Sequence, residues 1–208
     1  MRGYLSLAAA AACMAACKPD ESKGLLEPSE ALGPIVAEEA MQAAGVNKKI
    51  ALISHDDSWG PPSSVEQAFK AAVERQGYTT FVAKPAALGS PGGRGGAGLL
   101  AEDFAEALQK AADAGAIVSF AGAPLLGPND AARLPAHHPP VIVIATARLG
   151  DQLGVPADPE RLGGLLEAKV IQEAIVNGGS PSGAAISGRR DATHEMFARY
   201  YEILRLPP

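Results

Sequence analysis

His55, Asp56, Asp57, Ser58 and Trp59 form the densest run of chemically capable side chains in the sequence. Two adjacent carboxylates can hold a divalent cation, or accept hydrogen bonds from an amine or a sugar hydroxyl. The lone Trp59 can cover an apolar or cationic ligand face. Turn chemistry competes with this reading. Asp, Ser, Gly and Pro are ordinary connectors between a strand and a helix, and Asp56 to Pro62 has that composition. Ser63 or Ser64 then offers a cap for the next helix.

No other group of residues assembles a reaction centre. Ser58 lacks the G-x-S-x-G elbow that exposes a nucleophilic serine. His137 and His138 are adjacent, which is not metal-ligand spacing, and two prolines follow them. Gly92-Gly93-Arg94-Gly95-Gly96 lacks the G-x-x-x-x-G-K pattern and reads as a loop. Arg189, Arg190 and His194 read as solvated rather than as an anion site at the rim. Without a nucleophile, a base and oxyanion donors, an enzyme has no positive support. Metal-assisted hydrolysis through Asp56 and Asp57 is a remote alternative. No cofactor is expected: carboxylates at 56 and 57 would repel a flavin phosphate.

The elements that must position the cluster alternate. Ile50-Ala51-Leu52-Ile53 is a short apolar run, as expected of a buried strand. Val65, Ala68, Phe69, Ala72 and Val73 mark one face of a helix, closed by Gly77. Thr79 to Ala83 is a second strand, and Lys84 to Gly98 a glycine-rich loop. Leu100, Phe104, Ala107, Leu108 and Ala111 form a second helical face. Ile117 to Phe120 is a third strand, Val141 to Ile144 a fourth, and Ala174 to Val176 a fifth. Residues 128–135 suit a short helical turn, and Pro159 to Ala168 a helix. Phe197, Tyr200, Tyr201 and Leu204 suit a last amphipathic helix. Residues 29–45 read as a short helix with Pro34 in its first turn.

Strands alternating with helices predict an α/β fold: a three-layer, doubly wound parallel sheet of about five strands. The flavodoxin-like order 2-1-3-4-5 follows from right-handed crossovers. In such sheets ligands bind beyond the carboxyl ends of the strands, at the switch point between strands one and three. That rule selects His55, Asp56, Asp57, Ser58 and Trp59 after strand one. It adds Gly122 after strand three, Thr146 after strand four and Asn177 after strand five.

The chain has 208 residues and a formal net charge of −5. This suits one domain with a real core. An acidic balance without a basic stripe excludes a nucleic-acid partner. Aromatic residues make up only 5%, too few for a wide stacking platform.

The N-terminus carries an address. Arg2 precedes an apolar, alanine-rich run without charge up to Lys18, as in a secretory signal. Met14-Ala15-Ala16-Cys17 resembles the lipobox of bacterial lipoproteins, with Ala10-Ala11-Ala12-Cys13 a rival. The resemblance implies cleavage before Cys17 and acylation of that cysteine, with 1–16 removed as a signal peptide. Both cysteines of the sequence are then accounted for. Residues 17–46 become a lipidated tether with a short helix, and 47–208 a single domain. The expected location is the cell envelope, on the periplasmic side or the outer membrane.

Lys49-Ile50-Ala51-Leu52-Ile53-Ser54-His55-Asp56, followed by a helix, Gly77-Tyr78 and a strand, resembles the N-terminal lobe of type 1 periplasmic solute-binding proteins. Ala114 to Ser119 and His138 to Ile144 take the places of that lobe's third and fourth strands. The resemblance spans about residues 48–177, by element order. It implies solute binding, with a small-molecule ligand. That family traps its ligand between two lobes, and this chain has room for one. A half-clamp calls for a dimer, an envelope protein partner, or a shallow site. A scaffold lipoprotein that binds another envelope protein is the alternative. The aspartate pair also resembles receiver domains of two-component signalling. Here, however, strand three ends Phe120-Ala121-Gly122 without a carboxylate, and strand five ends at Asn177 without a lysine.

Overall fold

The computed structural model describes residues 23–55, 63–86, 99–146, 158–178 and 192–206, with backbone alone at 23–27, 55 and 86. The chain enters through helix α1 (Lys23–Ala44), strand β1 (Lys49–His55), helix α2 (Ser64–Arg75) and strand β2 (Thr79–Ala86). A two-residue strand β3 (Leu99–Leu100) leads into α3 (Ala101–Lys110) and β4 (Ala116–Ser119). Then come β5 (Pro124–Leu125), a 3-10 turn at Ala131–Arg133 and β6 (Val141–Ala145). Helix α4 (Pro159–Glu167), β7 (Glu173–Asn177), α5 (Ala192–Tyr200) and β8 (Tyr201–Arg205) complete it.

The main sheet has the order β2-β1-β4-β6-β7-β8. Its first five strands are parallel and reproduce the expected 2-1-3-4-5 order. Each parallel step needs a crossover, and the strands are covered on both faces, so they read as unbroken apolar runs. Alternate residues feed two cores. Ala51, Ile53, Ile117, Val141 and Val143 pack with Phe104 and Leu108 of α3 and Leu162 and Leu165 of α4. Ile50, Leu52, Val118, Ile142 and Ile144 pack with α1, α2 and α5 through Leu32, Val36, Phe69, Val73 and Phe197. Each fully buried side chain of this size contributes about 1.5–3 kcal/mol.

Local signals explain the helix starts. Ser63 caps α2, its Oγ accepting from the Glu66 amide at 3.1 Å. Asp158 caps α4 by accepting from the amides of Glu160 and Arg161, and Pro159 fills the first helical position. At the sheet's margin, β2 slips register opposite Leu52 and Ile53 and carries Pro85. Both devices blunt an open edge against pairing with another chain.

Four features differ from the sequence expectation. Helix α1 begins at Lys23, inside the segment read as tether, and Pro34 lies in its interior. It is a structural layer: Leu32, Ile35, Val36, Ala37 and Ala40 are buried. Gly33 brings it hard against α2, where an added Cβ would lie 2.7 Å from the Val65 carbonyl.

The last segment read as one helix splits. Helix α5 stops at Tyr200, and Tyr201 to Arg205 pairs antiparallel with β7. Tyr201 and Ile203 then face the α1–α5 core, and Leu204 faces the opposite one. Leu99–Leu100 and Pro124–Leu125 form a small parallel ladder that was not expected. Strand β2 also runs three residues into the segment read as loop.

Candidate functional site

Strand β1 hands the chain to α2 on one face of the sheet, while β4 hands it to β5 on the other. The chains part at adjacent strands, the switch point beyond whose carboxyl ends open α/β sheets place a ligand crevice. Ser54, Ser119, Gly122 and Thr146 are the described residues at the floor position of such a crevice. Ile53 pairs with Ser119, and Ser119 with Val143, so β1, β4 and β6 end at nearly one level. At about 4.8 Å per strand, β1 and β6, which flank β4, lie roughly 10 Å apart.

The floor is partly locked. Ser54 Oγ donates to Glu66 Oε1 at 2.8 Å, and Lys70 Nζ reaches the same oxygen at 2.6 Å. Ser54 and Glu66 are both buried. Glu66 stands three residues after its cap, the S-x-x-E spacing of a capping box. Its carboxylate turns to Ser54 and fixes the end of β1 to the first turn of α2. Ser119 Oγ donates to the Gly122 carbonyl at 2.7 Å and closes a tight turn. Gly122 has φ of +84°, a conformation that a Cβ disfavours. Phe120, between them, donates its amide to the Ile53 carbonyl and packs edge-on against Phe69 at 5.4 Å.

Thr146 is different. It is fully buried, and its hydroxyl has no hydrogen-bond partner among the described residues. An unsatisfied buried hydroxyl costs about 1–3 kcal/mol.

The sequence-selected residues distribute as follows. His55 is the last residue of β1, with its backbone opposite Ala86. Gly122 and Thr146 lie on the crevice floor. Asn177 ends β7, is exposed and pairs with Tyr201 of β8. Asp56, Asp57, Ser58, Trp59 and the lipobox cysteine Cys17 lie outside the described residues. The described members thus share one edge of the sheet, on strands β1, β4, β6 and β7. Ser54 belongs to the polar segment that follows strand one in the sequence reading, whereas its partners Glu66 and Lys70 were missed.

The electrostatics favour hydrogen-bond donors over anions. The amino end of α2 would attract an anion, but Ser63 already caps it and the Glu66 carboxylate is buried in its first turn. At the crevice margin Lys84 is engaged by Glu106 and by Asp103, the latter at 3.2 Å. Hydrogen bonds to Glu106 and Asp103 raise the Lys84 pKa. Lys110, then Lys84, hold the Glu106 carboxyl at about 2. No group of three His, Cys, Asp or Glu side chains that could hold a metal exists among the described residues. Among those residues no helix is long and apolar enough to cross a membrane.

No family model matches the sequence, and no curated protein or solved structure matches it.

Proposed function

We propose that the protein is a lipid-anchored ligand-binding protein of the bacterial cell envelope, a single solute-binding-like α/β lobe. Its ligand is a small molecule rich in hydrogen-bond donors, held at the carboxyl ends of β1, β4 and β6. Asp56 and Asp57 accept from it, Trp59 covers it, and the Ser58 and Thr146 hydroxyls complete its polar contacts. His55, Gly122 and Asn177 border the site. The observation that carries this reading is the buried Thr146 hydroxyl, without a partner among the described residues, at the sheet edge where ligands of this fold bind.

Melting of residues 23–208 in the presence of sugars, amino acids, nucleosides and divalent ions tests it. A ligand at one hundred times its Kd raises stability by about 2.7 kcal/mol. Thr146→Val should leave the ligand-free protein unchanged or about 1 kcal/mol more stable, since it removes an unsatisfied hydroxyl without changing shape. The same substitution should reduce the ligand-induced rise. A destabilised Thr146→Val protein with a full ligand response would sink the assignment of that hydroxyl. No response to any compound would favour the scaffold reading, and a protein partner would then be sought.

A further inference from the structure

Helix α1 decides which end of the molecule is tethered. It runs parallel to α2: Gly33 lies against Val65 and Phe69 at the start of α2. At the other end, the Tyr78 hydroxyl just beyond α2 donates to the Gly45 carbonyl at 3.2 Å. Both helices therefore begin at the carboxyl edge of the sheet and finish at the amino edge, where Ala44 turns into β1. A tether entering directly at β1 would leave from the amino edge. Helix α1 moves the entry to the opposite edge, the one that carries the crevice.

Resting on the reading of Cys17 as the lipidated residue, we propose that the carboxyl strand edge is the pole of the protein that faces its own membrane. Lys23 to Gly33 covers about 15 Å of helix. Cys17 to Lys23 spans at most about 21 Å even when fully extended. The level of the α2 amino end thus lies within about 36 Å of the acylated cysteine. The occupant of the space before this edge is the phospholipid surface. Ligand exchange takes place in the gap between the two.

The two ends of α2 provide the test, because they differ in height and share a lateral position. The full chain with its signal is produced in a bacterial host, carrying either Ser64→Cys or Gln76→Cys, both at exposed positions. Signal cleavage removes Cys13 and acylation blocks Cys17, so only the introduced thiol takes a fluorescent donor. In vesicles of phosphatidylethanolamine and phosphatidylglycerol with an acceptor on the headgroup, transfer should be stronger from position 64. That position should sit about 18 Å nearer the surface. Leu100→Cys against Val46→Cys, also exposed, is a second pair in which the label at 100 should transfer more. Equal or reversed transfer in both pairs overturns the proposal. An unmodified Cys17 in the mass of the N-terminal peptide, with protein that washes off the vesicles, overturns it through the lipidation reading instead. The distance from a label on Cys17 to position 64 or 76 in soluble protein then still reports whether the tether leaves by the crevice edge.

Discussion

The two ends of the sheet are built differently. At the amino edge the helix-to-strand connections 45–48, 76–78, 111–115 and 168–172 are three to five residues long. At the carboxyl edge 56–63, 87–98, 146–158 and 178–191 run from eight to fourteen. The amino edge is closed by polar bonds. Asn47 Nδ2 donates to the Asp113 carbonyl at 2.9 Å, and Asn47 Oδ1 accepts from the Lys49 amide. The Gly115 amide donates to the Lys49 carbonyl at 2.7 Å, and Gln172 and Val141 bond in both directions. Lys49 also pairs with Asp113. At the carboxyl edge the fully buried Thr146 hydroxyl has no partner among the described residues, and at the amino edge Glu173 Oε2 has none either. The two ends differ in the length of these connections, and short connections held by polar bonds close the amino edge.

Substitutions at both ends can break this contrast. Gly115→Ala has the largest expected effect. Its Cβ would lie 2.5 Å from the Asn47 carbonyl and 2.8 Å from Ala44 Cβ. Backbone must shift, so urea unfolding should show a loss of about 3 kcal/mol. Glu66→Ala at the carboxyl edge should cost about 2 kcal/mol, because Ser54 loses its acceptor in a buried setting. Gly122→Ala should cost only about 1 kcal/mol. The nearest atom to its Cβ would be 3.9 Å away, and the positive φ supplies the whole penalty. Were Gly122→Ala as damaging as Gly115→Ala, the carboxyl edge would be as tightly built as the amino edge.

The smallest effect is expected at Glu173. Arg205 on β8 reaches Glu39 at 3.2 Å and Glu173 at 3.5 Å, so one cation serves two carboxylates. Burial, then the Glu39 charge, raises the Glu173 pKa, against the opposing pull of Arg205. A carboxyl with a raised folded-state pKa holds its proton more tightly folded than unfolded. Stability from this group is present at low pH and falls as pH rises through the interval between its unfolded and folded pKa values. Glu173→Gln should therefore raise the unfolding midpoint slightly at pH 7, and the gain should vanish under acid conditions. A gain that persists unchanged in acid would remove the charge-based account.

Legibility followed the same division of the molecule. The runs Ile50–Ile53 and Val141–Ile144 showed themselves because strands buried on both faces leave no position for a polar residue. Ser63 marked one helix start and Pro159 another, because caps and first-turn prolines act locally. Strand β8 was hidden. Phe197, Tyr200, Tyr201 and Leu204 fit a helical spacing, and only the open edge of β7 converts Tyr201 to Arg205 into a strand. Helix α1 was half visible. Its apolar positions could be seen, but prolines at 28 and 34 suggested a later start than the packed helix has. In the site, His55, Gly122, Thr146 and Asn177 followed from strand ends alone. The Ser54–Glu66–Lys70 bond network did not, because it joins residues on two elements.

By itself the sequence determined the alternating elements, the parallel sheet and its strand order. Apolar periodicity is local, and crossover handedness leaves few topologies. Tertiary structure alone decided three things. It set the direction in which α1 returns along the sheet, added an antiparallel edge strand, and buried the Thr146 hydroxyl without a partner among the described residues. Each of these depends on which surfaces meet after folding, and no spacing along the chain encodes that meeting.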